Sequence, residues 1–266
     1  MNTSQNEGRG DGMERSRSRT KKSVWAAVLL LWGLAVGAVI WLSLTKTASA
    51  GARQLPVYSV ETEQKRAALT FNCAWDETGL DELLGILKEN EVKCTFFVVG
   101  EFAQRCPEAV RKIYNAGHEI GNHSMAHKDP VKMAYADLLT DISTCNELLY
   151  SLTGQTVTLY RAPSGSYNDD TVEAARSLGM TAVQWDADSV DWKDKTPEEI
   201  TERMLKKIGP GSIALFHVGR ENTVAALPGI IEKLKGEGYS FCTVTELLPE
   251  GEIVIDGQGR ARAAEG

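Results

Sequence analysis

The stretch AALTFNCAWDETGLDELLGIL (67–87) decides the fold. Its first six residues read as a hydrophobic strand, and Leu80, Leu83, Leu84 and Leu87 then recur at the spacing of one helical face. Strand-then-helix continues downstream, with further strands expected at KCTFFVV (93–99), HEIGN (118–122), TVTLYR (156–161), TAVQW (181–185), SIALFH (212–217) and YSFCTV (239–244). Gly117, Gly154, Gly179 and Gly236 stand where the intervening helices should stop. Thr196-Pro197-Glu198-Glu199 supplies an N-cap, a first-turn proline and a capping-box glutamate, so a helix should begin there. Strands in this alternation pair in parallel, and seven of them predict an α/β fold of the barrel or open-barrel kind. The chemistry of such a fold sits at the C-terminal ends of its strands.

The regions flanking this pattern differ in composition. Residues 1–22 carry six basic and three acidic side chains, so the net charge of −7 becomes −10 for the rest of the chain. That balance argues against a nucleic-acid partner. Residues 23–45 contain an uncharged run, Val24–Thr45, whose 22 positions would reach roughly 33 Å as a helix, enough to span a bilayer. The basic cluster before it places the N-terminus in the cytoplasm and the remainder outside, as a single-pass cell-membrane protein. Ala48-Ser49-Ala50 also resembles a signal-peptidase site, but the apolar run exceeds a usual signal-peptide core, which favours a retained anchor. Residues 46–66 read as a linker, 67–249 as the catalytic-type domain, and 250–266 as a flexible tail with a short hairpin around Ile253–Arg260. The five cysteines are odd in number and have no CxxC spacing, which argues against a zinc knuckle or a disulfide framework.

Polar residues gather where the apolar strands end. Asn72, Cys73, Asp76 and Glu77 follow the first strand, His123-Ser124-Met125-Ala126-His127 the third, and Arg161-Ala162-Pro163-Ser164-Gly165 the fourth. Asp186, Asp188, Asp191 and Trp192 follow the fifth, and His217 ends the sixth. HxxxH would bring two imidazoles onto one side of a helical turn, a spacing suited to one divalent metal. Two solvated surface histidines are the plainer reading of that motif alone, just as Arg161 could simply pair with Asp188 or Asp191. The coincidence of all five groups at one end of one barrel favours a site.

In these motifs the chain resembles the polysaccharide deacetylases of the NodB-homology type, carbohydrate esterase family 4. HxxxH (His123–His127), RxPxG (Arg161–Gly165), DxxDW (Asp188–Trp192) and LxH (Leu215–His217) come in the family's order, and the resemblance covers about Ala67 to Pro249. The AW after the first strand and the form RAPSGSYN look like the membrane-anchored branch associated with spore-forming Gram-positive bacteria. The resemblance implies a distorted (β/α) barrel and a metal-dependent N-deacetylase acting on an envelope polymer such as peptidoglycan. It implies one divalent metal, zinc being the first candidate, held by His123 and His127. It makes His217 the general acid, Asp191 its orienter and Arg161 the partner of the general base. Trp192 and Leu215 would line the acetyl pocket, and a backbone amide near Cys73 would donate to the oxyanion.

The first motif departs from the family pattern TFDDG, because base and ligand positions read Asn72 and Cys73. Three readings follow. Asp76 or Glu77 joins the histidines as third ligand in an enzyme slowed by the lost base, which typically costs ~10²–10⁴ in rate. Alternatively the Cys73 thiolate is the third ligand, although a small buried residue is the plainer reading of Cys73. In the last, the domain is an inert glycan-binding or envelope-interaction protein; the intact acid-side motifs favour the enzyme over this alternative.

Overall fold

The computed structural model describes residues 53–193 and 195–264. The expected membrane segment (23–45) lies outside the described residues; among these, no helix is long and apolar enough to cross a membrane.

The strands are β1 (Ser59–Val60), β2 (Arg66–Cys73), β3 (Thr95–Val98), β4 (Glu119–Asn122), β5 (Leu159–Tyr160), β6 (Thr181–Ala182), β7 (Ala187–Asp188), β8 (Ile213–His217), β9 (Ser240–Phe241), β10 (Ile253–Ile255) and β11 (Arg260–Ala263). The helices are α1 (Leu80–Glu89), α2 (Gly100–Arg105), α3 (Pro107–Asn115), α4 (Tyr135–Thr153), α5 (Asp169–Ser177), α6 (Pro197–Lys207), α7 (Glu221–Gly236) and α8 (Val244–Leu247). The main sheet runs β6-β5-β4-β3-β2-β8-β7, with β9 pairing the start of β2. Its pairings are parallel, and it curls into an open half-barrel whose outermost strands are β6 and β7. Each expected strand is present, the first extended by one residue at each end to Arg66–Cys73 and the others shorter than expected, and β7 is an addition, because a two-residue strand carries no readable periodicity.

The period of two along β2 sorts its residues between two environments. Leu69, Phe71 and Cys73 face the helices, where Phe71 stacks between Phe96 at 5.1 Å and Phe216 at 5.4 Å. Thr70 and Asn72 face the barrel interior, where both meet Arg161. The predicted caps are in place: Thr196 and Glu199 close a capping box on α6, and Gly154 ends α4 with a left-handed φ of 71°. Gly236 still belongs to α7, and Gly238 is the residue that turns left-handed beyond it.

The segment read as a linker is structured from Gln54 onward. Val57 donates to Ala182 O and accepts from Gln184 N, lying along the β6 edge, and β1 pairs with β11. With β10 these strands make a three-stranded sheet, so the tail also carries regular structure and contains the expected hairpin. Gly211 permits the close approach of β1: a Cβ there would lie 1.9 Å from Val60 O, and its φ is +78°. Isolated two- and three-residue strands read as loops in sequence because their stability comes wholly from pairing.

Candidate active site

The sheet register assembles the site. Asn72 on β2 lies beside His217 on β8 and Phe97 on β3, and Phe97 lies beside Gly121 on β4, forming one interior layer. Gly121 leaves room there, since a Cβ would meet the Phe97 ring at 2.6 Å. Two residues beyond Gly121, at the C-terminal end of the barrel, stands His123. Asn72, His123, His127, Trp75, Trp192, Leu215 and His217 all line one cleft of about 390 Å³.

Arg161 is fully buried under this layer. Its Nη1 donates to Thr70 Oγ1 at 2.9 Å and Asn72 Oδ1 at 3.0 Å, its Nη2 donates to Gln184 O at 3.1 Å, and its guanidinium lies 3.8 Å from the centre of the Phe97 ring. Burial pulls its pKa well down, but from so high a start that the group stays charged. The partner expected of it is a carboxylate; the one it holds is an amide.

Asp191 and His217 form the pair expected of them. Asp191 Oδ1 meets His217 Nδ1 at 2.7 Å, while Oδ2 accepts from His217 N at 2.9 Å and from Thr223 Oγ1 at 2.6 Å. Burial alone would raise the Asp191 carboxyl, but the hydrogen bond and charge of His217, with Thr223, hold it below its ordinary value. Thr223, in the first turn of α7, is a site residue that sequence reading missed, because a lone threonine six positions past a histidine carries no signal. Trp75 is a second addition: it is 44% exposed, its ring lies 5.1 Å from that of His217, and Arg220 stacks over it at 4.4 Å. Its place beside the first motif was the available clue.

The two histidines meet, but not on a helix. Residues 123–127 form a loop in which Ser124 and His127 take left-handed φ values of 70° and 53°. The loop is fixed by Ser124 N donating to Asn122 Oδ1, Met125 N to Asp141 Oδ2 and His127 N to Ser124 Oγ. These local side-chain acceptors outcompete the helical turn that the spacing predicted. The rings end 5.0 Å apart, edge to face. His123 Nδ1 lies 2.8 Å from Arg161 O; a carbonyl only accepts, so Nδ1 carries the proton and Nε2 presents a bare lone pair. That Nε2 is buried without a partner among the described residues, and burial lowers the pKa of both imidazoles, so they are neutral as metal ligation requires.

The third ligand is not with them. Asp76 accepts from Thr78 N at 2.9 Å and packs against Gly219, with that hydrogen bonding first and Arg220 last among the causes that lower its pKa. Glu77 lies beside Cys106. Cys73 points into the helix-side core, where burial pushes its thiol up and away from thiolate, so its side chain is turned from the cleft and the geometry speaks against the thiolate reading. Among the described residues no group of three His, Cys, Asp or Glu side chains could hold a metal. A catalytic zinc usually takes three protein ligands. Two imidazoles match the expected zinc in part, and the donor set does not fit a resident ion. Asp186 also departs from expectation: it accepts from Ser212 Oγ and Ile213 N, bracing the start of β8 rather than its C-terminal end, while Asp188 lines the cleft and accepts from Val190 N.

A half-barrel with paired imidazoles, a buried arginine and an aspartate-held histidine at its C-terminal rim is the arrangement that the resemblance to the polysaccharide deacetylases implies. The family profile for polysaccharide deacetylases matches residues 59–183. Peptidoglycan-N-acetylmuramic acid deacetylase PdaA of Bacillus subtilis is 32% identical over 200 residues, 74% of this chain and 76% of that protein. The chain therefore belongs to the polysaccharide deacetylase family, carbohydrate esterase family 4. The B. subtilis protein YlxY, itself uncharacterized, is 32% identical over 199 residues, 75% of this chain but 62% of YlxY. Among solved structures, a family 4 pseudoenzyme from Bacillus anthracis superposes with a TM-score of 0.71 at 34% identity, covering 73% of this chain and 69% of that one. A mutant of that pseudoenzyme with restored enzymatic activity matches equally well, at a TM-score of 0.71.

Proposed function

We propose that this domain binds N-acetylated cell-envelope glycan, of the peptidoglycan kind, and that its deacetylase chemistry is disabled at the step that activates water. One observation carries this reading: Arg161 holds the Asn72 amide where a proton acceptor is needed, and an amide cannot take a proton from water. The incomplete ligand set acts in the same direction, so no step here runs through a metal. Exposed Trp75 and Trp192 at the cleft mouth offer faces on which sugar rings stack. The activity of PdaA supports the substrate class, and the B. anthracis pseudoenzyme with its reactivated mutant supports the disabled chemistry.

A second reading, slow N-deacetylation, is favoured by the Asp191–His217 pair, which keeps a proton donor oriented toward a departing amine. The two separate on one preparation of the full-length protein. Tetra-N-acetylchitotetraose should bind with no release of free amine, whereas steady release abolished by His217→Ala would establish the slow enzyme. Absence of binding would remove the glycan reading altogether.

The site's location belongs to the same proposal. Residues 23–45 tether the domain to the outer face of the cell membrane in an organism of the spore-forming Gram-positive kind, a reading supported by the uncharged run behind a basic cluster. Protease added to intact protoplasts should remove the domain, and full protection would reverse the topology.

A further inference from the structure

We propose that Asn72 makes the cleft a reader of the intact acetamido group, donating from Nδ2 to the acetamido carbonyl oxygen. The proposal rests on the glycan reading above and adds the atom that tells acetylated from deacetylated sugar. The argument begins with Arg161, whose guanidinium has only donors. Asn72 must therefore turn Oδ1 toward it, as the 3.0 Å contact shows, and this fixes the amide the other way round toward the cleft. Asn72 lines that cleft, and among the described residues no protein group accepts from its Nδ2. An aspartate at this position would present an acceptor to the ligand; the asparagine presents a donor, held by a buried cation that cannot move away.

The rest of the floor complements an amide. His123 Nε2 is a buried acceptor with no partner among the described residues, set in the same cleft. Leu215 and Trp192 supply apolar surface for a methyl group. One donor, one acceptor and an apolar wall match the carbonyl oxygen, N–H and methyl of an acetamido group. A sugar amine has no carbonyl to accept from Asn72, so its binding forfeits the hydrogen bond that the acetamido group makes, which is what makes such sites discriminate.

Calorimetric titration of the full-length protein in EDTA, which removes any metal-dependent turnover, tests this with tetra-N-acetylchitotetraose and its fully deacetylated counterpart chitotetraose. Wild type should bind the acetylated form at least about tenfold more tightly, as expected for one well-placed hydrogen bond. Asn72→Asp, which keeps a partner for Arg161 and so preserves folding, should abolish the preference, and Asn72→Ala should reduce it. A preference unchanged in both variants would overturn the assignment and leave the glycan reading standing. Failure of wild type to bind either oligosaccharide would overturn both.

Discussion

Asn72→Asp should stabilise the domain by about 1–3 kcal/mol at neutral pH, and in metal-supplemented buffer it should bring amine release to at least about tenfold above the background at which wild type stands. Removing one partner of a buried ion pair typically costs about 3–5 kcal/mol, because a charge is left uncompensated. Wild type already resembles that broken state, with a fully buried guanidinium facing an amide and a hydroxyl. Supplying the carboxylate at nearly constant volume restores the pair without new desolvation of the arginine. At about 2–4 °C per kcal/mol for a domain of this size, the thermal midpoint should rise by several degrees, measurable by calorimetry. The catalytic gain follows because a placed base is worth about 10²–10⁴, of which tenfold is the portion expected with an incomplete ligand set. A more stable but inactive variant would show that the missing third ligand, not the base, stops the reaction. A less stable one would contradict the account of Arg161.

Asp191→Ala should destabilise the fold by about 3 kcal/mol or more and lower the midpoint by roughly 6–12 °C. The carboxylate accepts from His217 N, His217 Nδ1 and Thr223 Oγ1, all buried, and alanine leaves each without an acceptor. Asp191→Asn should fall between, since one amide oxygen remains. The pH dependence distinguishes this role from simple packing. The Asp191 carboxyl is held below its ordinary value, so its contribution is complete above about pH 4 and is lost as pH falls through the lowered folded value. Wild type should therefore lose stability more steeply below pH 4 than Asp191→Asn, as read from urea midpoints at several pH values. Parallel curves for the two proteins would remove the carboxylate from this role.

How much of this was legible beforehand varies from residue to residue. The strand Arg66–Cys73 and the helix Leu80–Glu89 could be read because burial of one face repeats every 2 and every 3.6 residues, a signal internal to each segment. The His217–Asp191 pair was legible through motif order alone. The histidine loop was not, because three side-chain acceptors, one of them Asp141 on α4, bend residues 123–127 away from the helical turn their spacing predicts. The short strands β1, β7, β10 and β11 were poorly legible for a related reason, since what holds each of them lies elsewhere in the chain.

By itself, the sequence determined the alternating architecture, the end of the barrel that carries polar groups, and the absence of both family carboxylates at Asn72 and Cys73. Those are properties of residue identity and period. Only the tertiary structure decided what the absences mean. It turned Cys73 into the core and Asn72 into the cleft, because adjacent residues of a strand face opposite sides. It carried Asp76 away from the imidazoles toward Thr78 and Gly219. And it placed a buried guanidinium, 89 positions away in the chain, against Asn72, which fixes the orientation of an amide that sequence alone leaves free to turn.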